Sequence, residues 1–136
     1  MIPPDFLKLE LKNCDLDLSS NPSGREGVDF LIGTNEIYLQ SIDLDTTQRS
    51  IKIAKQDLAE LRDNLFVALI VVLEKEPKVV YIIPSRHLSQ SESNVFIEKE
   101  VSLMPSLSNW EIKVSTNTIP ELAKYALENM VNELES

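Results

Sequence analysis

Cysteine, glycine and long apolar runs are all scarce in this sequence of 136 residues. The one cysteine, Cys14, excludes an internal disulfide and a thiolate metal site, and it fits a reducing compartment. The three glycines, Gly24, Gly27 and Gly33, form no phosphate-binding loop, so a nucleotide cofactor is not expected. The longest apolar run, Leu65–Leu73, is too short to cross a bilayer, and the N-terminus lacks the pattern of a secretory signal. We therefore expect a cytoplasmic protein with no membrane partner.

Basic residues are outnumbered as well. The chain has 13 Lys and Arg against 22 Asp and Glu, which gives a formal net charge of −9. A charge of this sign repels a phosphate backbone unless the cations gather on one face. Five of the cations are interleaved with Asp or Glu along the chain: Lys52, Lys55, Arg62, Lys75 and Lys78. Nucleic acid is therefore disfavoured as a partner.

Length and hydrophobic content point to one folded unit. Hydrophobic residues make up 43% of the chain and charged residues 26%, which is typical of globular proteins. The sequence contains no internal repeat and no linker long enough to divide it. We predict a single α/β domain over residues 1–136.

Two β-hairpins are indicated by short apolar segments on either side of turn-forming residues. Residues 28–32 and 36–42 predict the first hairpin, with a tight turn at 33–35. Residues 65–73 are apolar on both faces and predict a central strand that is covered on both sides. Residues 79–83 predict its hairpin partner, after a charged connection at 74–78.

The helical segments are less uniform. Ala54, Leu58, Leu61 and Leu65 form one stripe, which predicts a helix ending near residue 64. Residues 6–18 fit a strand or a short helix, and the alternation of leucines favours the strand. Residues 95–104 also fit either element, whereas 110–114 predict a strand.

The C-terminus predicts a closing helix that runs to about residue 133. Thr118 and Glu121 have the spacing of a capping box, and Pro120 suits the first turn. The apolar residues that follow share one face: Ala123, Leu127, Met130, Val131 and Leu134. The fold class expected is α/β (α+β), with a central mixed β-sheet flanked by helices.

The first predicted hairpin carries the most suggestive polar pair. Asp29 lies on its first strand and Gln40 on its second, where two side chains can converge on one metal ion. The segments 27–32 and 38–42 resemble the PD-(D/E)XK nuclease superfamily, specifically its restriction-endonuclease-like members. In that family an Asp ends one strand, and an acidic residue or Gln, any residue and then Lys follow on the next. The later helix and apolar strands, up to Ile83-Pro84-Ser85, are also similar to that group.

The resemblance implies a degenerate catalytic site. Asp29 and Gln40 would be its remnant, and the family's catalytic lysine position is occupied by Ile42. A lysine there would position the attacking water and stabilise negative charge on the phosphate, and an isoleucine does neither. Gln40 is also a weaker ligand for a hard cation than a carboxylate, so Asp29 alone remains a good metal ligand. We therefore predict a nuclease-like domain that acts by binding, to a protein partner, with self-association through exposed strand edges as a further expectation.

Two other interpretations stay open. The first is a Mg²⁺-dependent DNA or RNA nuclease in which Lys52 or Lys55 replaces the missing lysine. The second is a small acidic immunity-type or inhibitor protein whose acidic face pairs with a basic target. Cys14 and His87 lack an orienting carboxylate at a recognisable spacing, so we interpret them as a buried thiol and a surface imidazole.

Overall fold

The structure is a computed structural model that describes residues 2–21, 28, 30–90 and 93–135. Its strands are β1 (Ser19–Ser20), β2 (Phe30–Ile32), β3 (Asn35–Asp43), β4 (Ser50–Ala54), β5 (Leu65–Leu73), β6 (Glu76–Pro84), β7 (Phe96–Lys99) and β8 (Asn109–Lys113). Its α-helices are α1 (Pro3–Lys12), α2 (Lys55–Leu58), α3 (Ile119–Leu122) and α4 (Leu127–Glu135). Short 3₁₀ helices span Ser85–Ser89, Pro105–Leu107 and Ala123–Tyr125.

The strands form two sheets. The five-stranded sheet has the order β1-β2-β3-β5-β6, and the three-stranded sheet has the order β4-β8-β7. In the larger sheet β3 and β5 are parallel, whereas the other neighbours are antiparallel. The predicted fold class, a mixed sheet with flanking helices, is therefore confirmed. The second sheet was not predicted from the sequence.

The hairpin formed by β2 and β3 confirms the first predicted hairpin. Ile32 pairs with Asn35, so Gly33 and Thr34 form a two-residue turn. Gly33 has a φ of 62°, which glycine adopts without the steric cost that a Cβ brings. The turn thus fixes the register of β3, the strand that carries Gln40.

The central strand β5 is buried as predicted. Residues 65–71 are all buried, because β5 lies between β3 and β6 and has both faces covered. A fully buried Leu, Ile or Val side chain stabilises the fold by roughly 1.5–3 kcal/mol. Double-sided burial explains why this segment is a continuous apolar run without alternation.

The helix predicted over residues 54–64 is confirmed only at residues 55–58, and the rest of that prediction is wrong. Ala54 ends the strand β4, in which Ile51 and Ile53 pair with Ile112 and Trp110 of β8. Only the four residues of α2 are helical, and Ala59 leaves the helical region with a φ of 55°. The leucine stripe matches a helix by spacing, but β4 takes Ala54, and residues 59–64 are not helical after the positive φ of Ala59.

The strand favoured over residues 6–18 is also wrong, because residues 3–12 form α1. Leu7 and Leu11 are fully buried one turn apart, while Leu9 stays 47% exposed. Prolines at the first two positions suit a helix start because their missing N–H groups have no intrahelical partner there. A spacing of four residues, not two, therefore sets the buried face.

The closing helix is interrupted, which corrects the prediction of one continuous helix. Ala126 is extended (φ −54°, ψ 142°) and forms a β-bridge with Tyr81 of β6. The predicted capping box is wrong as well, since Thr118 Oγ1 accepts from the Ser115 N–H (2.9 Å) and donates to the Lys113 carbonyl (2.8 Å). Leu127, Met130 and Leu134 are buried as predicted, whereas Ala123 is exposed.

One hydrophobic core joins both sheets. Ile37 and Ile42 of β3, Ile53 of β4 and Ile112 of β8 all belong to it and are fully buried. No helix in the part of the chain that the structure describes is long and apolar enough to span a membrane.

The turn between β5 and β6 depends on a carboxylate from another part of the chain. Leu73 pairs with Glu76, and the intervening Glu74 and Lys75 have positive φ values of 56° and 64°. These values are costly for residues with a Cβ. Asp45 accepts the backbone N–H groups of both turn residues at 2.9 Å each. The carboxylate therefore holds a turn whose own residues do not favour it.

We predict that Asp45→Asn destabilises the protein at neutral pH. The hydrogen bond from the Glu74 N–H, followed by that from Lys75, lowers the pKa of Asp45. A lowered folded-state pKa means that the stabilisation is complete above the unfolded pKa of about 3.9 and is lost as the pH falls through the folded value. Urea unfolding at pH 7 should show a lower midpoint for the variant, and the difference from wild type should shrink as the pH is lowered below 4.

The control is Asp17→Asn, which removes the same charge from an exposed position before β1. Its urea midpoint should match that of wild type throughout the titration. An Asp45→Asn variant that also matches wild type at pH 7 would contradict the proposed role of the carboxylate.

Candidate functional site

A polar group lies on the face of β3 that carries Gln40. Successive residues of a strand point to opposite faces, so Tyr38, Gln40 and Ile42 share one face. The β3–β5 register is continuous from residue 36 to residue 43, so no bulge disturbs this alternation. The elements that position the site are therefore β3 and the segment that covers this face.

Tyr38 links Gln40 to the helix α2. The Gln40 Nε2 group donates to the Tyr38 hydroxyl oxygen at 3.0 Å. The Tyr38 hydroxyl in turn donates to Asp57 Oδ2 at 3.4 Å, a long and therefore weak contact for two oxygen atoms. Gln40 and Asp57 are half-buried, and Tyr38 is buried. We call these three residues the Tyr38 group.

Asp29, the predicted catalytic residue and metal ligand, lies outside the described residues. The structure describes its neighbours in sequence, of which Val28 is buried and Phe30 pairs with Ile37 of β3. Among the residues that it does describe, no three or more His, Cys, Asp or Glu side chains gather as they would around a metal ion.

Ile42, at the family's lysine position, is a core residue. Its side chain is 0% exposed, and it pairs with Val71 of β5. An ammonium group at this depth would have to leave water, which costs several kcal/mol without a compensating charge. The position therefore holds an aliphatic side chain in an environment that suits it.

The Tyr38 group offers hydrogen-bonding atoms but few oxygen ligands for a cation. The amide nitrogen of Gln40 is engaged with Tyr38, so its carbonyl oxygen is the atom that could face a ligand. Asp57 contributes one carboxylate, and hard cations in proteins usually take six or more oxygen ligands. Sequence reasoning missed Tyr38 and Asp57, because a hydrogen bond across 19 residues leaves no spacing signal.

The Lys55 side chain, one candidate for a relocated lysine, is held at β7. Its ammonium group forms ion pairs with Glu98 and Glu100, and it lies 4.4 Å from the centre of the Trp110 ring. Burial disfavours the charged form, but hydrogen bonds to Glu100 and Glu98 outweigh it and raise the pKa of Lys55. Lys55 is thus held by one carboxylate on β7, Glu98, and by one just after it, Glu100.

Lys52, the other candidate, lies on the exposed face of the smaller sheet. It pairs with Glu111 of β8, while its neighbours Ile51 and Ile53 point into the core. Alternation along β4 therefore directs Lys52 away from the core.

His87 and Cys14 contact different parts of the protein. His87 Nδ1 is 2.8 Å from the Tyr125 hydroxyl, and the two rings meet edge to face. Cys14 follows α1 and lines a hollow beside Val80 and Leu127. Both side chains are half-buried, so the predicted buried thiol is only partly covered.

Another hollow, of about 290 Å³ and lined by polar residues, lies beside His87 at the start of β3 and β5. Arg62 lines it and forms an ion pair with Glu36, and Arg86 Nε lies 2.5 Å from Asp63 Oδ1. Both arginines in the hollow are therefore matched by carboxylates, which leaves little positive charge for an anionic ligand.

No protein-family model matches this sequence, and no curated protein matches it. Among solved structures, the chain is similar to Hjc, a Holliday junction resolvase from the archaeal hyperthermophile Archaeoglobus fulgidus. The sequence identity is 11% and the TM-score is 0.49, over 97% of this chain and 99% of that one. That resolvase is a restriction-endonuclease-like member of the PD-(D/E)XK superfamily, the group that the sequence resembles. At this TM-score we carry over no residue role, substrate or partner from it.

The burial of Ile42 predicts that a lysine cannot simply be restored there. We expect Ile42→Lys to lower the free energy of unfolding by at least about 3 kcal/mol, because a charge enters the core without a described partner. Ile42→Val, the matched control, should cost roughly 0.5–1.5 kcal/mol. Urea unfolding followed by circular dichroism measures both, and an Ile42→Lys protein as stable as wild type would show that this site accommodates a cation.

Proposed function

We propose that this protein is a catalytically degenerate, nuclease-like domain that acts by binding a protein partner. The observation that carries the proposal is the fully buried Ile42 on the same strand face as Gln40. Hydrolysis of a phosphodiester needs a cation that stabilises the charge developing on the phosphate. An aliphatic core residue supplies no such charge.

The neutral side chain of Gln40 supports the same proposal. A carboxylate at this position would bind a divalent cation more strongly than an amide does. The amide nitrogen is already hydrogen-bonded to Tyr38, so Gln40 serves the packing of β3 against α2. Asp29 is then the only strong metal ligand that the motif contains.

The contacts of Lys55 disfavour a nuclease in which this residue replaces the missing catalytic lysine. Activity of that kind would require Lys55 to leave Glu98, Glu100 and the Trp110 ring. A net charge of −9 also opposes the approach of a nucleic acid. A protein partner fits both observations.

We predict no metal-dependent cleavage by the purified chain. Supercoiled plasmid, linear duplex, a four-way junction and single-stranded oligonucleotides would be incubated with Mg²⁺ or Mn²⁺ and resolved on gels. All substrates should remain intact, with wild type and with Asp29→Ala alike, because no lysine stands at position 42 to position the attacking water and stabilise the phosphate charge.

Cleavage that needs Mg²⁺, disappears in Asp29→Ala and persists in the matched Asp17→Ala would refute the proposal. Loss of that cleavage in Lys55→Met would then identify Lys55 as the relocated lysine. Gel filtration and circular dichroism of each variant would confirm that it is folded.

A further inference from the structure

Three lysines meet on the exposed face of the smaller sheet. Lys52 of β4 pairs with Glu111 of β8, Lys113 follows two residues later on β8, and Lys99 of β7 pairs with Asn109 of β8. Alternation places these residues on the face opposite the buried Ile51, Ile53 and Ile112. Lys52 and Lys99 are 47 residues apart in the sequence, and Lys99 and Lys113 are 14 residues apart. The pairing of the strands brings all three together.

Glu111 lies among these lysines and does not cancel their charge. It is 8% exposed, accepts a hydrogen bond from Ser50 Oγ at 2.8 Å and lies 3.6 Å from Lys99 Nζ. Burial alone would raise its pKa, but the Ser50 hydrogen bond and the charges of Lys99, Lys52 and Lys113 lower it. Three ammonium groups surround one carboxylate, so this face is positive in a chain of net charge −9.

The connection between β7 and β8 exposes three large apolar side chains. Leu103 is 94% exposed, Met104 55% and Leu107 54%. Two hydrogen bonds to Ser108 hold the base of this loop, from the Val101 N–H to Oγ (2.9 Å) and from the Lys55 N–H to the carbonyl (3.0 Å). These three side chains lie within five consecutive residues, and contiguous exposed apolar surface marks interaction sites.

The two acidic residues at the base of the loop share one lysine, which offsets half of their charge. Glu98 and Glu100 both form ion pairs with Lys55. The lysine face and the apolar loop are consecutive along the same β7–β8 hairpin, since Lys99 ends β7 where the loop begins. Four lysines (Lys52, Lys55, Lys99 and Lys113) therefore face three carboxylates (Glu98, Glu100 and Glu111), and the net charge beside the exposed leucines is positive.

We infer that Lys52, Lys99, Lys113, Leu103, Met104 and Leu107 form one docking surface, the β7–β8 surface, for a partner-protein segment that carries both acidic and apolar side chains. The inference rests on the proposed binding function and names the surface that performs it. Charge complementarity selects an acidic partner, and the loop residues supply apolar area that binding would remove from water. The surface has no aromatic side chain on which nucleic acid bases could stack.

The test uses fluorescence anisotropy with labelled peptides as probes. One peptide is built of Glu-Leu-Glu-Ser repeats, the second has Lys in place of Glu, and the third has Ser in place of Leu. The first peptide should bind at least about tenfold more tightly than either of the others, because only it carries both charge and apolar groups of the right kind.

Variants of the surface should weaken this binding by about tenfold or more. They are the triple substitution Lys52→Glu, Lys99→Glu and Lys113→Glu, and the double substitution Leu103→Ser and Leu107→Ser. Because Lys99→Glu places a carboxylate beside Glu111, a triple Lys→Gln variant provides the same test without repulsion. The control triple, Lys8→Glu, Lys12→Glu and Lys124→Glu, makes the same change in net charge elsewhere and should bind like wild type.

Several results would overturn the inference. These are no saturable binding of the Glu-Leu-Glu-Ser peptide, equal binding by the lysine-containing peptide, and equal binding by the surface variants. Tighter binding to a single-stranded oligonucleotide or to vesicles of phosphatidylcholine and phosphatidylserine would identify a different occupant. A wild-type dimer in sedimentation experiments that Leu103→Ser with Leu107→Ser converts to monomer would assign the surface to a second copy of this chain.

These outcomes are separable from those of the proposed function. Absent peptide binding together with intact nucleic acid substrates would reject this surface and leave the degenerate site standing. Metal-dependent cleavage would reject the degenerate site whatever the peptides do.

Discussion

The parallel pairing of β3 with β5 is the constraint on which the rest of the structure depends. Parallel neighbours cannot be joined by a tight turn. The chain must therefore leave the sheet after β3 and return to the end of the sheet at which β3 begins. The connection covers residues 44–64, and it contains β4 and α2. Because β4 belongs to the second sheet, the crossover that makes the first sheet possible also creates the second.

The same pairing explains the state of the candidate site. A strand beside a doubly covered β5 is itself largely enclosed, so Ile42 becomes a core residue and Tyr38 is buried with its hydroxyl hydrogen-bonded. Gln40 also lies on this face, and its amide nitrogen donates to the Tyr38 hydroxyl. The local chemistry thus follows from packing requirements: the strand face that resembles a catalytic motif is occupied by groups that stabilise the fold.

The smaller sheet separates charges that the sequence mixes. Along the chain, lysines alternate with acidic residues, but pairing of β4, β8 and β7 collects Lys52, Lys99 and Lys113 on one face. Lys55 meanwhile pairs with both Glu98 and Glu100 at the sheet's edge and offsets half of their charge. An acidic protein therefore presents a positive surface next to an exposed apolar loop, which is a property of the fold and not of its composition.

The sequence by itself determined the features that depend on neighbouring residues. The glycine turn set the β2–β3 hairpin, and the continuous apolar run of residues 65–73 identified the doubly buried strand. The absence of a cation at Ile42 was also readable, because a single residue type decides it. The burial of Ile42, which explains why an aliphatic side chain suits this position, could not be read from the sequence.

Tertiary structure decided the features that depend on contacts between segments far apart in the sequence. Pairing with β8 made Ala54 part of a strand, and at the bridge from Ala126 to Tyr81 the closing helix is interrupted. The hydrogen bonds from Gln40 to Tyr38 to Asp57 and the lysine face join residues whose separation in sequence leaves no periodic signal. Local patterns report one segment's preference, whereas these contacts are set by the free energy of burying and pairing segments far apart in the chain.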